Sequence, residues 1–123
     1  MDHDHLVTDC VLGCAIEVHR ALGPGLLERA YLLALCAELA HSGIAFERER
    51  TFPLTYRGLD LGVYIPDLIV EGTAIIEVKS VAHLDPIFTA QLITYLRITK
   101  LRVGLLLNFN RPKLMDGIKR VVL

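Results

Sequence analysis

Pro66-Asp67-Leu68-Ile69-Val70-Glu71-Gly72-Thr73-Ala74-Ile75-Ile76-Glu77-Val78-Lys79 is the stretch on which the fold turns. Two apolar runs, Leu68-Ile69-Val70 and Ala74-Ile75-Ile76, flank a Glu71-Gly72 turn signal, which predicts a tight β-hairpin. Charged residues bracket it, with Asp67 ahead of the first strand and Glu77 and Lys79 closing the second. A charge left uncompensated among apolar side chains is costly. A metal ion or a polar ligand is the natural reason to keep three of them there.

Glu77 and Lys79 are two residues apart, so on a strand their side chains share a face. The position of Asp67 depends on the turn. A three-residue Glu71-Gly72-Thr73 loop sets Asp67 directly across from Glu77; a two-residue turn pairs it with Ile76 unless a bulge restores the alignment. The residues leave both open, and the chemistry favours the first or the bulge. Facing carboxylates repel unless a cation lies between them. A hard ion such as Mg²⁺ takes oxygen ligands and keeps several waters. It would polarise a phosphoryl oxygen and acidify a bound water, the chemistry of a metal-dependent phosphodiesterase. Lys79 then orients the attacking water and stabilises phosphorane charge; a general-base role requires the metal to offset the field of the acids. The competing reading is bland: Glu-x-Lys commonly marks a surface pair, with Lys79 bound to Asp67 or Glu77.

The 123 residues suit one domain with one core, and a hydrophobic fraction of 53% is enough to fill it. A net charge of −1 gives no global basic signal for nucleic acid. The distribution is uneven. Residues 97–123 hold seven cations against Asp116, a balance of +6, whereas residues 1–49 hold eight acids and three arginines, a balance of −5. Such asymmetry marks either a phosphate-facing side or an ordinary solvated face. The odd set Cys10, Cys14 and Cys36 argues against a disulfide framework, and Cys10 with Cys14 at helical spacing reads as core packing. The acidic Met-Asp-His-Asp-His start lacks the basic opening of a signal peptide. Glu28, Arg29 and Glu38 interrupt the longest apolar run before it could span a bilayer. The expectation is a cytoplasmic protein without membrane contact.

Neither a repeat nor a linker divides the chain, which predicts a single domain over 1–123 with 1–7 frayed. Val11, Cys14, Ala15, Val18 and Leu22 have the spacing of an amphipathic helix over 8–22, ended by Gly23-Pro24-Gly25. A second helix fits 26–41. Extended segments follow at 45–56, 60–70 and 73–80, with Arg57-Gly58 and Glu71-Gly72 as turns. Asp85-Pro86 reads as an N-cap and a first-turn proline opening a helix to 99. The almost wholly apolar run at 102–108 predicts a strand covered on both faces, and 117–122 a last strand. The order ααβββαβ plus a terminal strand is an α/β sandwich with a mixed sheet.

Helices supply further candidates. Glu28 shares a stripe with Leu32, Leu35 and Leu39, so either it projects a carboxylate from the buried face or it is a first-turn acid favoured by the helix dipole. Tyr31, three residues on, either orients Glu28 or fills the core. Gln91 and Tyr95, at i, i+4, face one way on a helix whose Ile87, Phe88, Leu92 and Leu96 suggest burial. A buried amide there needs partners that a site around Glu77 and Lys79 would supply. His19 reads as a satisfied structural histidine. Walker A, Cys-x2-Cys, Gly-x-Ser-x-Gly and Gly-x-Gly-x-x-Gly patterns are all missing, which leaves nucleotide, zinc and serine-hydrolase readings unsupported.

Pro66-Asp67…Glu77-Val78-Lys79 resembles the signature of the PD-(D/E)XK nuclease superfamily. Gly25-x2-Glu28-x2-Tyr31 resembles the motif of its small branch of GxxExxY proteins. The likeness continues through Tyr56-Arg57-Gly58, Tyr64-Ile65-Pro66-Asp67-Leu68, Gln91-Leu92-Ile93-Thr94-Tyr95-Leu96 and Gly104-Leu105-Leu106-Leu107-Asn108-Phe109, nearly the whole chain. The resemblance implies a restriction-endonuclease-like αβββαβ core, here with an additional N-terminal helix. It implies that Asp67 and Glu77 bind Mg²⁺ or Mn²⁺, that the Val78 carbonyl is a further ligand, and that Glu28 is a direct or water-mediated one. Lys79 is then the catalytic lysine, and Gln91 and Tyr95 position the site or the nucleic acid. The expected activity is hydrolysis of phosphodiester bonds, in DNA ahead of RNA. With no recognition domain in view, a homodimer or a partner protein is expected to help grip the substrate. The alternative is a catalytically silent nucleic-acid or protein-binding module on the same fold.

Overall fold

The computed structural model describes residues 2–123, and Met1 lies outside the described residues. In chain order the elements are α1 (His3–Leu22), α2 (Glu28–His41), β1 (Phe46–Glu47), β2 (Phe52–Tyr56), β3 (Leu59–Tyr64), β4 (Leu68–Val70) and β5 (Ala74–Lys79). Then come α3 (Pro86–Thr99), β6 (Val103–Asn108), a short 3-10 turn (Leu114–Gly117) and β7 (Ile118–Val122). One sheet runs β1-β4-β5-β6-β7. Its β5–β6 pair is parallel, bridged by α3, and its other neighbours are antiparallel. This is the mixed α/β fold expected, with helices on both faces of the sheet.

The hairpin adopts the longer of the two turns. Leu68 pairs with Ile76, Ile69 with Ile75 and Val70 with Ala74, which leaves Glu71-Gly72-Thr73 as the loop. Carried one step further, this register puts Asp67 across from Glu77. Glu71 and Gly72 both take positive φ, 52° and 59°. Glu71 is held in that unusual region by two bonds to Ala45: its N–H donates to the Ala45 carbonyl at 2.9 Å, and its carboxylate accepts the Ala45 N–H at 3.0 Å.

Three boundaries differ from the sequence reading. Residues 3–7, expected to fray, are helical because the Asp2 carboxylate accepts the His5 N–H at 2.7 Å as an N-cap. The strand expected over 60–70 splits into β3 and β4, since Pro66 has no N–H for a ladder. The segment at 45–56 splits into β1 and β2 near Glu49, whose φ is 60°. In consequence β2 and β3 leave the main sheet and pair only with each other.

Packing on the two faces follows the alternation of β5. Ala74, Ile76 and Val78 join Val11, Ala15, Tyr31, Leu35 and Leu39 in the core beneath α1 and α2. Ile75 faces the other way, with Tyr64, Leu92, Leu96 and Leu106 beneath α3. Helix α3 lies so close to β6 that a Cβ on Gly104 would stand 2.8 Å from a Leu92 methyl. Cys14 and Cys36 are buried, but Cys10 is exposed and takes no part in the core. Among the described residues no helix is long and apolar enough to cross a membrane.

Candidate active site

The alternation that sends Ile75 towards α3 sends Glu77 and Lys79 there too, at the C-terminal end of the central parallel pair. Asp67 reaches the same point from the mouth of the hairpin, and its Oδ2 accepts the Val78 N–H at 2.8 Å. Glu77 is only 9% exposed. The hydroxyl of Tyr64, the last residue of β3, donates to Glu77 Oε1. The Tyr64 ring stacks on Tyr95 of α3, centroids 3.7 Å apart and planes 11° from parallel. Between them opens a cleft of about 200 Å³ lined by Tyr64, Glu77, Lys79, Phe88, Gln91 and Tyr95, among others.

Burial, and next the charge on Asp67, push the Glu77 carboxyl up from 4.5 to about 7. Burial also raises the Tyr64 hydroxyl, aided by Glu77, so this phenol stays a proton donor. Lys79 does not close an ion pair on the acids; its Nζ lies over the Phe88 ring, 4.7 Å from the centroid. These features test whether a divalent metal fits. Each carboxylate has one oxygen held by the protein, Asp67 by a backbone N–H and Glu77 by a phenol, which leaves a second oxygen on each for a hard cation. Two carboxylates with waters is a usual Mg²⁺ set, and a cation would relieve the repulsion that raises Glu77. The donor set fits. It is a set of two: among the described residues no three His, Cys, Asp or Glu side chains gather as a metal cluster.

The sequence model of the PD-(D/E)XK nuclease superfamily matches residues 5–121. The chain belongs to that superfamily. Neither the search of curated proteins nor that of solved structures finds a match. The superfamily assignment carries a mixed α/β fold and, at its own level, a nuclease domain acting on nucleic acid with divalent metal.

Other predicted residues fall less simply on this cleft. Glu28 does not lie on a buried face: it is exposed in the first turn of α2 and joins no cluster with Asp67 and Glu77. Tyr31 does not orient it. The Tyr31 ring is fully buried, stacked on Phe109 at 4.6 Å, and its hydroxyl donates to the Gly23 carbonyl at 2.5 Å while accepting the Leu26 N–H at 3.0 Å. The tyrosine thus sets the loop ahead of Glu28, and Ser80 ties that loop to the end of β5 by donating to the Leu26 carbonyl at 2.5 Å. Gln91 is exposed on the cleft wall rather than buried, and Ile87 is 53% exposed; burial on α3 is confined to Leu92 and Leu96. His19 is structural, its Nε2 at 2.7 Å from the Arg111 carbonyl.

Two site residues escaped the sequence reading. Tyr64 had a usable signal, a polar-tipped aromatic three residues before Asp67. Asn108 had little. It is 1% exposed at the end of β6, beside Lys79. Its amide donates to the Val81 carbonyl at 3.0 Å and its oxygen accepts the Val81 N–H at 3.1 Å, while the Phe109 N–H donates to the Lys79 carbonyl at 3.0 Å. Together they fix the backbone that carries Lys79. The basic residues of 97–123 do not form one face. Register places Arg111 and Lys113 at the Lys79 end of the sheet and Lys100 and Arg102 at the Ala74 end.

Proposed function

We propose that this protein is a metal-dependent nuclease of the GxxExxY branch, cutting phosphodiester bonds of DNA ahead of RNA. The observation that carries the reading is that Glu77 and Lys79 line one cleft while Asp67 holds the Val78 N–H between them, all three set among otherwise apolar strand residues. Asp67 and Glu77 would hold Mg²⁺ or Mn²⁺, with the Val78 carbonyl beside them and Glu28 acting through water. The bound metal supplies Lewis acidity and an acidified water. The chain's own residues do the rest. Tyr64 holds Glu77 by one oxygen and so aims the other. Lys79 swings from Phe88 to orient the attacking water and to meet charge gathering on the phosphorane. Gln91 and Tyr95 shape the wall against which the substrate lies, and Lys113 at the same end of the sheet contacts phosphate. Placement in the GxxExxY branch draws support from Tyr31, which fixes the Gly23–Leu26 loop as a motif tyrosine should.

The test is hydrolysis of single- and double-stranded DNA and of RNA in Mg²⁺ or Mn²⁺. Lys79→Ala should abolish cutting with an unchanged melting temperature. Equal cutting by that variant would sink the mechanism.

A further inference from the structure

The arm formed by β2 and β3 displays an apolar surface well beyond the scattered exposure normal for a soluble domain. Tyr56, Leu59, Leu61 and Val63 are 61%, 62%, 56% and 56% exposed, and Ile65, just after the arm, is 49% exposed. Only the root of the arm is packed, where Phe52, Leu54 and Tyr64 join the core beneath α3. Further out the ladder shifts. Leu54 pairs with Gly62 but Thr55 with Asp60, which leaves Leu61 as the extra residue of a bulge. Tyr56 and its cross-strand partner Leu59 carry the face of the root outward past the helix. Val63, opposite Pro53, looks the other way. A two-stranded ribbon is marginal by itself, and this one carries large apolar side chains on both faces of its outer part.

Charge decides the class of partner. Residues 47–65 hold three arginines (48, 50 and 57) and three acids (47, 49 and 60), a balance of zero. A surface that grips phosphates needs an excess of cations. Two of these arginines are already spent on the arm's own aromatic rings, Arg50 over Phe52 at 4.9 Å and Arg57 over Tyr56 at 5.7 Å. An uncharged, apolar ribbon fits a protein surface.

Area decides which protein. Five half-exposed side chains offer on the order of 100 Å² each, so two copies whose arms cross, with both faces of each arm covered by the other copy, would bury about 1,000 Å², the threshold of a specific interface. A two-fold axis needs only that the patch complement itself, and an arm whose own charges are one of each sign, Arg57 and Asp60, does so. We infer that the β2–β3 arm is the surface through which two copies of this chain pair. The pairing would reach the cleft without entering it, since Ile65 lies on its wall and Tyr64 ends the arm with its hydroxyl on Glu77.

The inference stands apart from the nuclease reading, and its test needs no substrate. Light scattering on the full chain, from about 1 to 100 µM, should give twice the single-chain mass in the upper part of that range. Leu59→Glu with Val63→Glu should bring the mass down to one chain, raising the dissociation constant at least tenfold, with an unchanged circular dichroism spectrum. Should that pair fail to fold, Leu61→Lys at the bulge serves the same purpose. A single-chain mass at every concentration would overturn the inference, as would a doubled mass that survives a folded arm variant. Loss of duplex-DNA binding in a Leu61→Lys variant of a monomeric wild type would also overturn it, making the arm a nucleic-acid grip.

Discussion

Glu77 makes the stability of this protein depend on pH in a direction opposite to most carboxylates. Its carboxyl lies at about 7 in the folded chain against 4.5 ordinarily. The folded state therefore keeps the proton where the unfolded chain has released it. The stability this contributes is complete below about 4.5 and is lost as pH rises through about 7. The gap between the two values corresponds to about 3 kcal/mol, on the order of 10 °C in melting temperature for a domain of this size. Other groups titrate in the same window, so the measurement is a difference. Wild type and Glu77→Gln should be melted from pH 5 to pH 8 in a chelator. Glutamine keeps an acceptor for Tyr64 and never ionises, so the two should melt alike at pH 5 and the variant should be the more stable at pH 8. Mn²⁺ added at pH 8 should then raise the wild type and leave the variant unmoved. A gap between the two proteins that stays constant from pH 5 to pH 8 would refute the argument that Glu77 is held protonated by burial and Asp67.

Tyr64→Phe leaves Glu77 without its donor and should weaken Mn²⁺ binding about 10- to 100-fold by calorimetry, the usual cost of losing an outer-shell partner. Asp67→Ala should remove that binding altogether, and undiminished affinity would move the metal elsewhere. Tyr31→Phe keeps the stacking on Phe109 but frees the Gly23 carbonyl and the Leu26 N–H; denaturant titration should show a loss of about 1–3 kcal/mol. Gly104→Ala drives a methyl into buried Leu92 and should cost about 1–3 kcal/mol on the same assay. Lys113→Ala should weaken DNA binding evenly across sequences and reduce the slope of log K against log salt by about 0.9, read from a salt series.

How much of this was legible in the sequence divides along a physical line. The Asp85-Pro86 cap located α3 and the unbroken apolar run located β6, because a helix start and a strand buried on both faces are each recorded within a few residues. The hairpin was legible too, since Asp67, the loop and Glu77 are close in sequence and the pleat relates them. Splitting of the 45–56 and 60–70 segments was foreshadowed by Pro66 alone, and the departure of β2 and β3 from the main sheet is a choice among strand partners that alternation cannot express. For Glu28 the residues offer a buried-face carboxylate or a first-turn acid, and the structure has the second. The Glu28 stripe with Leu35 and Leu39 is real, but the helix enters the core only one turn later, so the stripe begins in solvent. Tyr64 and Asn108 act on residues 13 and 27 positions away. No local pattern records a hydrogen bond of that span.

The arrangement around Glu77 is hard to explain as structure for its own sake. A fold that needed only a core could place Ile or Leu at that position, as it does at 75 and 76, with no carboxyl raised to about 7. Retaining the acid obliges the chain to supply Tyr64 as a donor, to stack Tyr64 on Tyr95, and to keep a polar cleft open between α3 and the sheet. A surface ion pair with Lys79 would ease the cost, yet Lys79 rests on Phe88 instead. The acids are thus left facing one another with a cation close but unengaged. That is a destabilised state a divalent metal would relieve, and strain of this kind collects where a protein binds or reacts. The bland reading of Glu77-Val78-Lys79 as a cross-strand pair fails on the same geometry. It requires a contact the side chains do not make.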